Sequence, residues 1–331
     1  MSNKIKLGVS LYSYQDEFFR RDMTLEDCIE AVADMGATGI EILPDEMIRD
    51  PFHMTDAFLD QWFGWMDKYG VEPVAMDSFS EENGLFRRQG RQPTLEEAVR
   101  IQKAYVDMAA KLGVKYTRCQ IRNFDVLRQV VPYAEEKNVI LGIEIHAPSN
   151  LSDEFYQKWV DEREHLHTKA MALLPDFGIF ETKPTPVIQR QNLRDGCREE
   201  FIKIAEEKRA AGWDRKQVSE YCLSLGATPA DMNGVGRVFS NSYNNPEELR
   251  ALIPYICGFH GKFWNMTEDL LEESINYEDP IRILCEEGFD GYINSEYEGG
   301  RHTQDIENVR GVEQVRRHHA MIRNYIEKYS K

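Results

Sequence analysis

The segment VILGIEIHAPSN, residues 139–150, ends an apolar run with Glu144 and His146 two positions apart. A strand alternates its faces with period two, so the carboxylate and the imidazole share one face. Together they can hold a cation or move a proton. Comparable residues end other apolar runs. Asp176 follows MALLP, His260 and Lys262 lie in YICGFHGKFW (255–264), and Glu296 and Glu298 lie in GYINSEYEG (291–299). Earlier runs contribute Glu41, Asp77 and Gln120.

Four of these have the chemistry for one divalent cation: Glu144, Asp176, His260 and Glu296. Three carboxylates and one imidazole make a hard, oxygen-rich set. It favours Mn²⁺ or Mg²⁺ and is compatible with Zn²⁺, Co²⁺ or Fe²⁺. Without a cation, three carboxylates around one point would force at least one to take up a proton. Taken singly, each residue has a plainer explanation. A Glu near a strand end is usually solvated, a His is usually a structural hydrogen-bonding group, and Asp176 after Pro175 can cap a turn. Four of them at the ends of four successive strands are harder to explain that way. His146, one pleat beyond Glu144, is then the candidate base. Glu41, Gln120, Lys262 and Glu298 are the candidate substrate contacts.

The elements that must position these residues alternate along the chain. Strands are expected at 5–11, 39–43, 71–79, 116–121, 139–146, 171–178, 255–264 and 291–299. Helical patterns fall between most of them, including TLEDCIEAVADMG (24–36) and TLEEAVRIQKAYVDMAAKLG (94–113). Each has a Thr at its front and a Gly at its end. Residues 181–250 carry charged helical segments without an evident strand. Eight β/α units predict a parallel sheet closed into a (β/α)8 TIM barrel, residues 1–331 forming one domain. The 181–250 segment is then a helical insertion between strands six and seven. A doubly wound nucleotide-binding sheet would carry a Gly-rich loop after strand one, where this chain reads YSYQDEFF. In a barrel the chemistry belongs at the C-terminal ends of the strands, where these polar residues fall.

Bulk properties narrow the class. The 331-residue chain has a formal net charge of −17, which argues against nucleic acid or an anionic membrane as main partner. The N-terminus lacks a secretory h-region, and no run approaches the roughly 18 apolar residues of a membrane span. The six cysteines form no CxxC pattern, so free thiols in a cytoplasmic protein are expected. Tyr12, Tyr14, Phe79, Phe177, Phe263 and Trp264 are either pocket walls or core. The segment EEKRAAGWDRKQ is a solvated helix pair, a lid or a partner surface.

LGVSLYSY, DMGATGIEIL, LGIEIH and GYINSEYEG resemble the first, second, fifth and eighth strand motifs of the xylose-isomerase-like barrels, the sugar isomerases and epimerases. The resemblance implies the metal ligands Glu144, Asp176, His260 and Glu296. The ketose 3-epimerases usually place a His three residues after the strand-six Asp, and this chain has Ile179 there. The His two residues after the strand-five Glu, the GVSLYSYQ start and the long insertion look more like the alpha subunits of bacterial C-deglycosylation enzymes. That resemblance implies a lyase cleaving the carbon–carbon bond of a 3-oxo-C-glucoside of a flavonoid-type aglycone, working with a small β-sandwich beta subunit.

Two mechanisms fit. In the lyase, His146 removes the acidified C2 proton and the aglycone is expelled, with Lys262 or another donor assisting. In an isomerase or epimerase, Glu144 and Glu296 exchange a proton through an enediolate and His146 positions the sugar. A non-catalytic sugar-binding or scaffold subunit would have no need of four metal-type residues.

Overall fold

The computed structural model describes residues 5–78, 90–241 and 243–330; Phe79, a candidate pocket wall, lies outside them. Eight short strands carry the architecture: β1 (Lys6–Ser10), β2 (Gly39–Ile42), β3 (Glu72–Asp77), β4 (Tyr116–Cys119), β5 (Ile140–Ile145), β6 (Met171–Pro175), β7 (Gly258–Phe263) and β8 (Tyr292–Tyr297). All neighbours pair in parallel, in the order β6-β5-β4-β3-β2-β1-β8-β7. The two ends of that order meet. The Cys257 amide donates to the Leu173 carbonyl at 3.1 Å, and bridges join Leu173 to Ile256 and Asp176 to His260. The fold is the expected TIM barrel. Its last contact falls between two of the candidate metal ligands.

The crossover helices start where local chemistry starts them. Before Leu25–Asp34, Thr24 accepts from the Asp27 amide while the Asp27 carboxylate accepts from the Thr24 amide. Thr94 and Glu97 do the same before Leu95–Leu112, and Gly113 ends that helix at φ +73°, a left-handed conformation suited to glycine. Strands six and seven are shorter than their apolar runs suggest. Strand six stops at Pro175 because the Asp176 side chain captures the Gly178 amide at 2.7 Å and turns the chain. Strand seven starts at Gly258 because Ile253–Tyr255, with Pro254, form a tight turn first.

Between β6 and β7 run the helices Pro186–Arg194, Glu199–Ala210, Arg215–Ser224 and Pro229–Val238. The last three bury a small core of their own, including Phe201, Ile202, Val218 and Val235. Polar contacts tie this bundle to the barrel rim. Arg237 pairs with buried Glu181 at 2.8 Å, and Arg194 pairs with Asp305 at 2.9 Å. All six cysteines are free thiols, and among the described residues no helix is long and apolar enough to cross a membrane.

Candidate metal centre and active site

Strand alternation stacks the polar residues in three tiers. At the base are Gly142 of β5, Gly258 of β7 and Asn294 of β8. One pleat up stand Glu144, His260 and Glu296, and one pleat further His146, Lys262 and Glu298. The base is kept small so that the middle tier has a floor. A Cβ on Gly258 would lie 2.3 Å from the Tyr116 hydroxyl, and one on Gly8 would lie 2.2 Å from Asn294 Oδ1. Asn294 Nδ2 donates to the Tyr116 hydroxyl and to Glu41 Oε2, both at 2.9 Å.

Asp176 joins the middle tier from the end of β6, and one ligand atom from each of Glu144, Asp176, His260 and Glu296 lies within 4.8 Å of all the others. Oxygen and nitrogen ligands about 2.0–2.6 Å from a divalent cation span about 4–5 Å across it, so the spacing fits. Asp176 in particular has an oxygen free to ligate. Asp176 Oδ1 accepts from Gly178, while its Oδ2 is buried with no donor among the described residues. His260 Nδ1 lies 2.9 Å from Glu144 Oε1 and 3.8 Å from Glu296 Oε1, an approach that requires a proton or a cation. The imidazole's other nitrogen, Nε2, lies 3.2 Å from Glu41 Oε1, in ion-pair range though not aligned as a hydrogen bond.

Electrostatics agrees. Glu41, Asp77, Glu144, Asp176, Glu296 and Glu298 are gathered against Arg118, Lys262 and Arg301. Burial pushes Asp176 and Glu296 well up from the usual carboxylate range, with His260 and Lys262 only partly offsetting it. Burial opposes a charge on His260, yet the Glu41 and Glu296 carboxylates outweigh it and hold the imidazole well above its usual range. The cation-free protein therefore stores protons where a divalent cation would sit, and cation binding would release them.

The upper tier is wired differently. Lys262 Nζ donates to His146 Nε2 at 2.7 Å and pairs with Glu298 Oε1 at 3.1 Å. Burial disfavours its charge, but Asp176 and Glu298 overcome this and keep the ammonium protonated. With Nε2 accepting, His146 carries its proton on Nδ1, which donates to the Ala147 carbonyl at 2.6 Å. The His146 side chain is exposed at the barrel mouth. Arg301 anchors the far side of Glu298 at 2.5 Å.

The structure brings Lys262 and Glu298 to His146, but it puts Glu41 elsewhere. Glu41 is 1% exposed, with its Oε1 3.2 Å from His260 Nε2. Gln120 is exposed past the end of β4. Of the aromatic candidates, Tyr14, Phe177 and Phe263 are core, Phe177 stacked on Tyr277 and Phe263 on His318. Trp264 lies beside Lys262, 5.3 Å from its ammonium to the ring. Ile179 is fully buried in the apolar core.

Arg118 was not anticipated. It leaves β4 with its side chain 11% exposed, donates from Nη1 to Glu144 Oε2 at 2.9 Å, and pairs through Nε with Asp77. Its signal was the alternation in YTRCQI, which puts Arg118 on the same inward face as Tyr116.

The model of the xylose isomerase-like TIM barrel family matches residues 29–178. A C-glycoside deglycosidase alpha subunit from Arthrobacter globiformis is 28% identical, over 98% of this chain and 93% of its own length. A 3'-dehydrocarminate deglycosidase alpha subunit from a Microbacterium species is 26% identical over 89% and 88%. Among solved structures, D-psicose 3-epimerase from Clostridium cellulolyticum H10 superposes with a TM-score of 0.58 at 14% identity, over 98% of this chain and 99% of the other. The chain thus resembles the xylose-isomerase-like barrels and the alpha subunits of C-glycoside deglycosidases, as the strand-end motifs implied.

Proposed function

We propose that this protein is the metal-dependent alpha subunit of a lyase that removes the aglycone from 3-oxo-C-glucosides. The observation that carries the reading is the His146 imidazole one tier above the Glu144–His260–Glu296 layer, with Lys262 Nζ 2.7 Å from its Nε2. Glu144, Asp176, His260 and Glu296 would hold the cation, most simply Mn²⁺, with Mg²⁺, Co²⁺ or Zn²⁺ also suited to the set. When bound, the cation supplies Lewis-acid stabilisation of negative charge on the sugar oxygens.

The chain's own residues do the rest. A 3-oxo group acidifies C2–H. His146 Nε2 takes that proton once a sugar oxygen draws Lys262 away from it. The C2–H electron pair becomes the C1=C2 bond as the C1–aglycone bond breaks. The electrons of that bond pass to the aglycone carbon, which takes up a proton. The products are an unsaturated 3-oxo sugar and the free aglycone, with no change of oxidation state overall. Lys262, fixed by Glu298 and Arg301, donates a hydrogen bond to developing oxyanion charge.

The relatives' alpha-subunit names support a second chain in the working enzyme, here a small β-sandwich beta subunit. The test is direct. Mn²⁺-loaded protein, with the product of the adjacent reading frame, should release aglycone from a 3-oxo-C-glucoside, and His146→Ala should abolish release. Epimerised ketose without aglycone release would assign the site to the isomerase–epimerase chemistry instead.

A further inference from the structure

The two carboxylates that face His260 Nδ1 are not equivalent, and Arg118 makes the difference. Glu144 divides its oxygens: Oε1 faces His260 Nδ1 at 2.9 Å, and Oε2 accepts from Arg118 Nη1 at 2.9 Å. Arg118 is itself held from behind by Asp77, which is 1% exposed. No group among the described residues donates a hydrogen bond to the Glu296 carboxylate. One carboxylate is clamped by a buried, charge-assisted bond, and the other is free to turn or to accept a proton.

We infer that Arg118 is a specificity-determining residue that withdraws Glu144 from proton transfer and thereby commits the site to elimination. The inference rests on the lyase reading above and deepens it. Epimerisation needs two proton-transfer groups on opposite faces of the sugar carbon, one to remove the proton and one to return it. Elimination needs one base, because the electron pair left at C2 goes into the C1=C2 bond and is not reprotonated there. For Glu144 to accept a carbon-bound proton, Oε2 must give up its bond to Arg118 and leave a buried guanidinium with one partner fewer. Oε1 is committed to the ligand cluster. The clamp therefore takes Glu144 out of the Glu144–Glu296 pair that an epimerase would use, leaving Glu144 as a ligand alone and His146 as the base. Arg suits this task better than Lys because its planar fork reaches Asp77 and Glu144 together.

The test removes the clamp while keeping the buried charge balanced, in the double variant Arg118→Met with Asp77→Asn. Mn²⁺ affinity is measured by calorimetry. A 3-oxo-C-glucoside and a free 3-oxo-glucose are then incubated in D₂O with the Mn²⁺-loaded protein and the product of the adjacent reading frame, and NMR reads deuterium at C2 and the configuration there. The wild type should cleave the glucoside and give little C2 epimer. The double variant should bind Mn²⁺ within about tenfold of wild type, as a loss outside the ligand set allows. Its ratio of epimerised to cleaved product should rise at least about tenfold. Arg118→Lys keeps the charge but loses the fork; it should fall between the two, and it decides the matter if the double variant does not fold. A variant that binds Mn²⁺ but epimerises no more than wild type would overturn the role of Arg118. A wild type that releases no aglycone would instead overturn the lyase reading, whatever the variants do.

Discussion

Two regions of this molecule bury carboxylates, and they treat them in opposite ways. In the helical segment between β6 and β7, Asp231 is fully buried and fully served. It accepts from the Arg198 side chain and amide, each at 2.7 Å, and from the Thr228 amide and hydroxyl at 2.7 and 2.8 Å. The Arg198 side-chain bond above all holds its carboxyl below the usual range. In the barrel mouth, Asp176 and Glu296 are also buried, yet burial pushes them up, and Asp176 Oδ2 has no donor among the described residues. A satisfied carboxylate staples a fold together. An unsatisfied one among like charges is held in readiness for something the fold itself does not supply.

The comparison can be broken most forcefully at the cation. Asp176→Ala should weaken Mn²⁺ binding by more than the about 10–100-fold typical of losing an outer partner, and Glu41→Gln should fall within that range. Calorimetric titration measures both, and equal effects would place Glu41 among the ligands. Thermal melts of the cation-free protein give a contrast of sign. Asp176→Asn keeps the cap on Gly178 and removes a repelled charge, so its midpoint should rise by a few degrees. Asp231→Asn gives up charge-assisted bonds and should melt several degrees lower. Midpoints moving the same way would erase the distinction.

A third test concerns the floor of the site. Gly258→Ala drives a methyl group against the Tyr116 hydroxyl and should cost about 1–3 kcal/mol in denaturant unfolding. A further effect is expected on acidification. Burial holds His319 down at about 3, and His318 well below its usual range. The unfolded chain takes up those protons near the ordinary value of 6.5, so the barrel's stability is complete above that pH and declines as pH falls toward about 3. Asp231 works in a lower window. Its contribution is present above the ordinary carboxylate value of 3.8 and is lost as pH falls below it. Unfolding midpoints followed from pH 8 to about 3.5 should therefore fall less steeply in His319→Gln than in wild type, while Asp231→Asn should keep the wild-type slope over that range.

How far these features could be read in advance depended on whether they were local. Thr24 with Asp27, and Thr94 with Glu97, sit three residues apart, so the helix starts were visible in the chain. Glu144, Asp176, His260 and Glu296 were visible because strand period and barrel topology together predict where strand ends converge. Glu41 and Arg118 were not resolved in the same way. Both lie on inward strand faces, and their roles depend on which neighbour meets them across the barrel, His260 for one and Glu144 for the other. The early stop of β6 at Pro175 was likewise a contest between an apolar run and one Asp side chain, settled by a single hydrogen bond.

Sequence alone determined the alternation of strands and helices, and from it the tiers that pair Glu144 with His146, His260 with Lys262 and Glu296 with Glu298, because a period of two is a property of each strand by itself. Only the closed barrel decided that His146 Nε2 meets Lys262 and that one oxygen of Glu144 is given to Arg118. Those contacts join residues 26 and 116 positions apart. Their distances are set by the packing of whole strands, which no local pattern encodes.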